Sequence, residues 1–417
     1  MTLDEIKAVE AKLLLPTYER NPLHFVDGEG VYLIDEKGER YLDLLSGIGV
    51  NALGYAHPAI EKAIIEQSKK LIHLSNLYFH EGQAELAMRL TAASGLDRAF
   101  FCNSGTEAME AALKLARAHA GLLRSEGKTI GTKILALEHS FHGRTMGSVA
   151  ATHKEKYREP FAPVMPGVEF ITFNDTNDLK VKFSSDVCAI VLEVIQGEGG
   201  IRPVSKEFLK TARELTKSTG ALLICDEIQA GLGRTGKWFA YQHYDVQPDV
   251  TTIAKPLAGG LPLGAMLCTE EAARAIHPGM HGTTFGGGPL ACAAALAVFR
   301  TIEEQKLMEH VTETGTYFHQ QLEALAKKHS AITEVRGIGL MLAVELDSEE
   351  LAKQVLKEMM QRRILINRTS ETVLRFLPPY ILGREHVDTA IHALDEILTE
   401  VAPQTAGAQT TGGKQIG

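Results

Sequence analysis

Short apolar runs alternate with helical stretches between about residues 84 and 300, and this limits the possible folds more than any other feature. Strands that alternate with helices are joined by crossover connections, which build a mostly parallel sheet covered on both faces. Such a sheet binds its ligand beyond the carboxyl ends of its strands. The predicted strands are 99–102, 133–137, 188–192, 221–225, 250–253 and 264–268.

The two ends of the chain do not show this regular alternation of predicted strands and helices. Residues 31–45 alternate around the turn sequence DEKG, which predicts a hairpin. The C-terminal part predicts a long helix near 302–329, an alternating segment 334–346, a helix at 349–362, a strand at 364–367 and a closing helix at 385–400. We therefore expect a large domain at 66–304 and a smaller α+β domain at 305–401, to which residues 1–65 contribute. The tail 402–417 has almost no bulky apolar residues and is predicted to be disordered.

Charge and composition exclude several classes of partner. The net charge is −9 and no basic stripe is present, which argues against nucleic acid or an anionic membrane as a partner. No apolar run is long enough for a signal sequence or a membrane span. The five cysteines form no CxxC pair and lie mainly in apolar runs, which is typical of buried free thiols. We expect a cytoplasmic protein.

Three local patterns point to sites that their context does not support. GLGRTG at 231–236 matches the dinucleotide pattern, but five residues separate it from the preceding strand and no helix pattern follows. The same segment resembles a P-loop, yet Trp238 occupies the place of the magnesium-binding hydroxyl. His139 and His142 have neither an HExxH motif nor a cysteine partner, so we expect no metal site.

Three further features lie at predicted strand ends, and each has an ordinary explanation when taken alone. Asp226 ends the run ALLICD, where a buried carboxylate needs a partner, although a helix cap or salt bridge would also suffice. Lys255 lies between an apolar strand and a Gly-rich loop, where it is either a desolvated nucleophile or a solvated lysine. The segment 104–106 (SGT) begins a helix and indicates either an anion site or simple capping.

Several longer motifs contain these three features, and the order of the motifs along the chain indicates that the features belong to one site. Over roughly residues 15–400 the chain resembles the class III (ω-) aminotransferases. This resemblance implies an α/β fold of fold type I among pyridoxal 5'-phosphate (PLP) enzymes (aspartate-aminotransferase-like), with a large mostly parallel-sheet domain and a smaller α+β domain. The motifs, in chain order, are NSGTEAMEAALKLAR, FHGRTMGS, EVIQGEGG, LLICDEIQAGLGRTG, TIAKPLAGGLPLGA and TTFGGGPLACAAAL.

The resemblance implies a role for each residue around the cofactor. Lys255 matches the lysine that binds PLP covalently and carries the proton, and Asp226 matches the partner of the pyridine nitrogen. Phe141 and Ile228 would contact opposite faces of the ring, with Gln229 near its 3-hydroxyl. Thr284 of a partner subunit would join the phosphate cradle, which implies a homodimer with shared active sites. The remaining residues expected to bind the cofactor are Ser104, Gly105, Thr106 and Glu193.

The resemblance also implies two arginine clamps for carboxylates, because the enzyme must accept an ω-amine and glutamate in turn. Arg144 would hold the distant carboxylate of either substrate, and Arg375 the α-carboxylate of glutamate. Glu198 would pair with Arg375 while the ω-amine is bound. Thr283 is expected near the substrate, and Ile48 stands where ornithine aminotransferases place a tyrosine.

The expected reaction converts N-acetylornithine and 2-oxoglutarate to N-acetylglutamate semialdehyde and glutamate in arginine biosynthesis. The residues of the motifs FHGRTMGS and HGTTFGGGPLAC resemble those of family members that favour N-acetylornithine as the amine. Alternatives are 4-aminobutyrate, succinylornithine, acetyl-lysine and ornithine, and from other classes a dinucleotide-dependent oxidoreductase or a non-enzymatic PLP-fold protein. Two departures from the family are Val194-Ile195 after Glu193 and Gly288 in place of an asparagine.

Overall fold

The computed structural model describes the backbone of residues 1–407 and the side chains of residues 1–401. Within them the strands are β1 (Phe25–Glu29), β2 (Tyr32–Asp35), β3 (Arg40–Asp43), β4 (Arg98–Cys102), β5 (Lys133–Leu137), β6 (Val168–Ile171), β7 (Val187–Glu193), β8 (Ile195–Gln196), β9 (Arg202–Pro203), β10 (Leu222–Asp226), β11 (Val250–Ile253), β12 (Gly264–Cys268), β13 (Ile332–Ile338), β14 (Met341–Leu346), β15 (Ile364–Leu365), β16 (Asn367–Thr369) and β17 (Val373–Phe376).

The helices of the same residues are α1 (Leu3–Leu13), α2 (Ser46–Gly49), α3 (Pro58–Ser68), α4 (Glu81–Ser94), α5 (Gly105–Ser125), α6 (Met146–Ala150), α7 (Glu155–Arg158), α8 (Thr176–Lys182), α9 (Lys206–Thr219), α10 (Glu270–Ala273), α11 (Pro289–Glu304), α12 (Leu307–Lys328), α13 (Glu349–Gln361) and α14 (Arg384–Gly407). Short 3₁₀ turns cover Glu159–Phe161 and Ala240–His243. None of these helices is long and apolar enough to cross a membrane.

The mostly parallel sheet that the alternation predicts is present and has seven strands, in the order β4-β12-β11-β10-β7-β5-β6. Five of its strands form the parallel run β11-β10-β7-β5-β6, and only β12 pairs antiparallel with both of its neighbours. Every residue of β7 is buried, as expected for a central strand covered on both faces. The α/β class with a mostly parallel sheet is confirmed.

The six predicted strands agree with β4, β5, β7, β10, β11 and β12 to within one residue at each end. The edge strand β6 was not predicted. Its sequence VEFI is only four residues long and three of them are half-buried, so it lacks the continuous apolar pattern of the central strands.

The N-terminal hairpin pairs with a strand from the far end of the chain. β3 runs parallel to β15, with Leu42 opposite Ile364, and extends the sheet β1-β2-β3-β15. Buried residues of this hairpin, such as Val31 and Leu44, share one hydrophobic cluster with residues of α12 to α14. A second small sheet has the order β13-β14-β17-β16. The domain boundaries at 65/66 and 304/305 stay predictions.

Two predicted helix boundaries are wrong. The long helix near 302–329 is two helices, α11 and α12, separated at Lys306, whose φ of 51° lies in the left-handed region. Neither glycine nor proline marks this break, so no local signal predicts it. The closing helix continues past residue 400 to Gly407, so the first six residues of the predicted disordered tail are helical. The rest of that tail, 408–417, lies outside the described residues.

Candidate active site

The carboxyl ends of three neighbouring strands bring the predicted acidic and basic residues together. Asp226 is the last residue of β10 and lies opposite Glu193 of β7 on one side and Thr252 of β11 on the other. Lys255 follows two residues after the end of β11. Adjacent parallel strands therefore place the carboxylate and the lysine at one edge of the sheet.

A cavity of about 400 Å³ opens at this edge. Its lining includes the Gly-rich loop after Lys255 and the first turn of α5, so the strand ends and a helix N-terminus face the same space. Of the residues predicted for the site, those that line the cavity are Ser104, Gly105, Thr106, Phe141, Arg144, Glu193, Asp226, Ile228, Gln229 and Lys255.

Asp226 is buried and hydrogen-bonded on both oxygens. His142 Nδ1 lies 2.7 Å from Oδ2, while the backbone N–H of Ile228 donates to Oδ1 at 3.0 Å. Burial alone lowers the pKa of His142, but the hydrogen bond and charge of Asp226 outweigh it, and the pKa is raised. This favours a protonated ring that compensates the buried carboxylate.

His142 is a site residue that the sequence analysis missed, since we considered it only as a metal ligand. Its other ring nitrogen, Nε2, is buried and has no partner among the described residues. The only signal in the sequence was its position directly after Phe141, and the partner Asp226 is 84 residues away.

Lys255 is half-buried, and no hydrogen bond from its amine is present among the described residues. Burial lowers the pKa of Lys255, although the charges of Asp226 and Glu198 act in the opposite direction. A lysine with a lowered pKa has a larger neutral fraction at physiological pH, and the neutral amine is the nucleophile.

The N-terminus of α5 presents free backbone N–H groups to the cavity. Ser104 caps the helix by accepting a hydrogen bond from Glu107 N at 3.3 Å, whereas the N–H groups of Gly105 and Thr106 have no partner within the described chain. A side chain at Gly105 would place its Cβ 2.8 Å from Ile228 Cδ1, so only glycine allows this close approach. A 21-residue helix with open N–H groups is suited to bind a phosphate.

Glu193 holds two backbone segments beside the cavity, one at Phe141 and one at Gly197. Its carboxylate accepts hydrogen bonds from Phe141 N and Gly197 N, both at 3.1 Å. Burial raises the pKa of Glu193 to about 7, with Asp226 adding to the increase and His142 opposing it. Glu193 thereby links the predicted stacking ring of Phe141 to the loop that carries Glu198.

Arg375 and Glu198 form an ion pair at 2.6 Å, next to the cavity but outside its lining. The side chain of Arg375 is fully buried, and it also donates to Gln229 Oε1 at 3.1 Å and to Asn367 Oδ1 at 3.0 Å. Burial alone raises the pKa of Glu198, but the charge and hydrogen bond of Arg375 outweigh it and lower the pKa. Gln229 lines the cavity and so connects this pair to it.

Besides Arg375 and Glu198, three predicted residues do not line the cavity of their own chain. Thr283 accepts a hydrogen bond from the cavity residue Asn103 at 3.2 Å, but Thr284 is exposed. Ile48 is 37% exposed and has a φ of 63°, while its neighbour Val50 lines the cavity.

The GLGRTG segment is a turn-rich loop held by Glu227. This fully buried carboxylate accepts hydrogen bonds from Ala240 N at 2.9 Å and Tyr241 N at 3.0 Å. Burial raises the pKa of Glu227 to about 8, although the two N–H groups act to lower it. No α-helix begins between residues 231 and 250, so the dinucleotide alternative has no structural support.

The residues present fit PLP. The open N–H groups of α5 suit its phosphate, and the compensated carboxylate of Asp226 suits the nitrogen of its pyridine ring. The Lys255 amine, which bonds no other described residue, has the lowered pKa that a carbonyl-binding lysine needs.

Comparisons with known proteins agree with this site. The family description for class-III aminotransferases matches residues 16–398. The acetylornithine aminotransferase of Methanocaldococcus jannaschii is 47% identical over 393 residues, which are 94% of this chain and 98% of that protein. The acetylornithine aminotransferase of Aquifex aeolicus is 46% identical over 386 residues, 92% of this chain and 99% of that protein.

Solved structures show the same fold over nearly the whole chain. The ornithine aminotransferase of Toxoplasma gondii ME49 is similar at a TM-score of 0.91 and 30% identity, covering 97% of this chain and 96% of that one. The acetylornithine aminotransferase of Elizabethkingia anophelis has a TM-score of 0.83 and 31% identity, covering 96% of this chain and all (100%) of that one. The chain therefore belongs to the class-III aminotransferases, enzymes of PLP fold type I whose cofactor is pyridoxal phosphate.

Proposed function

We propose that the chain transfers the ω-amino group of N-acetylornithine to 2-oxoglutarate, giving N-acetylglutamate semialdehyde and glutamate as a step of arginine biosynthesis. Eight relatives named acetylornithine aminotransferase are 41–47% identical to this chain, and each alignment covers at least 92% of it. The observation that carries the proposal is the Glu198–Arg375 ion pair beside the cavity. An enzyme that accepts an ω-amine and an α-amine in turn needs an arginine that can be neutralised for one substrate and released for the other.

The two arginines divide the recognition of carboxylates. The Arg144 guanidinium at the cavity has no acidic partner among the described residues, so it is available to a distal carboxylate. Arg375 is paired, and leaving it unpaired in its buried position would be costly. The α-carboxylate of glutamate would replace Glu198 on Arg375, whereas an ω-amine brings no carboxylate there and leaves the pair intact.

The remaining residues of the cavity prepare the chemistry. When bound, PLP accepts the amino group from one substrate and gives it to the next, with its ring acting as an electron sink. Asp226, supported by His142, would keep the ring nitrogen protonated, and the open N–H groups of α5 would hold the phosphate. Lys255 would attach the cofactor, and its lowered pKa suits it to take up the proton from the substrate carbon that bears the amino group.

A homodimer with shared sites completes the proposal. Leu77, Tyr78, Phe79 and Phe285 are all more than 60% exposed, and large exposed apolar residues in one place are typical of an interface. Asn76 holds the two segments together by donating to the carbonyls of Thr283 and Gly286. Thr284 lies in this exposed region outside the cavity of its own chain, and in such a dimer it would contact the cavity of the neighbouring subunit.

The cytoplasm is the proposed location. Its support is that all five cysteines are free and buried, as expected in a reducing compartment.

A substrate panel tests the proposed reaction. We expect kcat/KM with 2-oxoglutarate to be highest for N-acetylornithine, by about tenfold or more over ornithine, 4-aminobutyrate and N-acetyl-lysine, because each differs in length or charge at the distal end. Steady-state rates with each amine, measured on the PLP-loaded enzyme, provide the comparison. A higher kcat/KM for any of the other three amines would contradict the proposed substrate while leaving the aminotransferase assignment intact.

A further inference from the structure

The guanidinium of Arg144 is held by aromatic rings and not by a carboxylate. Its Cζ lies 3.7 Å from the centroid of the Tyr157 ring and 5.6 Å from that of Phe141. Among the described residues it makes neither a salt bridge nor a side-chain hydrogen bond. Arg144 is exposed at the cavity, so a flexible side chain would be expected to sample many positions without the ring beneath it.

Tyr157 itself is fixed by its surroundings. It lies in the short helix α7, is half-buried, and its backbone N–H donates to Lys154 O at 3.0 Å. Its ring meets Phe141 edge to face, with centroids 6.0 Å apart at 83°. The Tyr157 hydroxyl has no hydrogen-bond partner among the described residues, so Tyr157 contacts Arg144 through the face of its ring. A second cation, Lys156, lies farther from this ring, at 5.2 Å.

Stacking orients an arginine without consuming its hydrogen bonds. A guanidinium that lies flat on a ring keeps its N–H groups in its own plane, where they can still form a bidentate pair with a carboxylate. A carboxylate partner would position Arg144 equally well but would compete with the substrate for the same N–H groups. The edge contact with Phe141 also ties the orientation of Arg144 to the ring predicted to cover the cofactor.

We propose that Tyr157 is a positioning residue that presents Arg144 to the distal carboxylate of both substrates and thereby helps to determine specificity for substrates that carry a carboxylate at the end remote from the reacting amine or keto group. This inference rests on the proposed function only for the role of Arg144 as the distal clamp. It predicts that the ring face, and not the hydroxyl, is needed.

Binding of glutarate, a dicarboxylate that cannot react, is the direct test. Tyr157→Leu in the PLP-loaded enzyme should weaken glutarate binding about threefold to twentyfold by calorimetry, because a cation–π contact is lost. The KM for glutamate should rise by a similar factor while kcat changes less than twofold. Tyr157→Phe keeps the ring and should stay within twofold of wild type in both measurements. If Tyr157→Leu does not fold, as judged by its melting temperature and cofactor absorbance, Tyr157→Met takes its place.

Two further variants make the outcome specific. Tyr32→Leu removes a comparable ring under Arg40, 4.4 Å away, and should leave glutarate binding unchanged. Arg144→Met should weaken glutarate binding at least as much as Tyr157→Leu. If Arg144→Met has no effect, the distal clamp and part of the proposed function are wrong. If Arg144→Met weakens binding but Tyr157→Leu does not, or if Tyr157→Phe is as damaging as Tyr157→Leu, the inference about Tyr157 alone is overturned.

Discussion

At the scale of single residues, the neighbours Asp226 and Glu227 show how one strand end serves two purposes. Asp226 faces the cavity, where His142 compensates its charge. Glu227 does not line the cavity, and among the described residues its carboxylate is bonded only by backbone N–H groups, so burial raises its pKa to about 8. The first residue serves the chemistry, and the second fixes the loop that follows it.

The raised pKa of Glu227 makes a prediction about stability. A carboxyl group with a higher pKa in the folded state than in the unfolded state stabilises the fold below about pH 4.5, and this contribution is lost as the pH rises towards 8. Wild type should therefore lose free energy of unfolding relative to Glu227→Gln between pH 5 and pH 8, by up to about 1.4 kcal/mol per pH unit. Guanidinium unfolding of the cofactor-free protein at several pH values measures this difference. A difference that is constant with pH would show that Glu227 is ionised in the folded protein.

Sequence reasoning found the residues whose neighbours in the chain form a motif, and missed those defined by distant contacts. Lys255 and Asp226 are marked by the segments that flank them. His142 can be recognised as a site residue only from its contact with Asp226, and Tyr157 only from its contact with Arg144, which lies 13 positions earlier, before α6. No periodicity links such pairs, because the fold and not the local sequence brings them together.

At the scale of elements, the strand β16 anchors the loop that carries Glu198. The buried hydroxyl of Thr369 donates to the carbonyl of Glu198 at 2.8 Å. In the neighbouring sheet region, Arg336 Nε donates to Gly200 O at 2.8 Å. The same strand β16 supplies Asn367, which accepts a hydrogen bond from Arg375. One short strand therefore holds both partners of the ion pair.

Removing this anchor should affect the two half-reactions unequally. In Thr369→Val the Glu198 loop loses a hydrogen bond worth about 1 kcal/mol, so Arg375 is less well neutralised when no second carboxylate is present. We expect the single-turnover rate constant at low N-acetylornithine to fall about fivefold, and that for glutamate to change less than twofold. Thr369→Ser keeps the hydroxyl as the matched control, and Glu198→Ala sets the maximum effect. Equal losses in both half-reactions would mean that Thr369 has only a general structural role.

Elements with regular patterns were predicted well, and irregular ones were not. β5, β11 and β12 have the predicted bounds because each is a short apolar run between helices. β17, which carries Arg375, was not predicted, since its four residues VLRF place a buried arginine inside an apolar run. Tertiary contacts stabilise that arginine, and they are invisible to a residue-by-residue pattern.

At the scale of the whole molecule, the cavity of one chain is lined by the strand ends, the first turn of α5, the segment 141–144 and the loop after Lys255. Thr284, the last predicted member of the phosphate cradle, lies outside it on an exposed surface with Phe79 and Phe285. Gly288, the departure from the family in this loop, is the N-cap of α11 with a φ of −62°, which other residues also adopt. A Cβ at this position would lie 3.2 Å from Phe285 O, so glycine relieves a close contact with that carbonyl.

If Thr284 acts on the partner's cavity, subunits with different defects should complement each other. Thr284→Ala alone should weaken PLP binding about tenfold, because a hydrogen bond to a charged phosphate is lost. Lys255→Ala alone should be inactive yet remain folded. In a random mixture of the two chains, about one quarter of the sites combine an intact Lys255 with an intact Thr284 from the other subunit. At a PLP concentration that loads wild type but not Thr284→Ala, the co-expressed mixture should therefore recover about a quarter of wild-type activity.

The two proteins mixed without subunit exchange are the control. Activity no higher than that control would mean that Thr284 contributes to the site of its own chain or to no site.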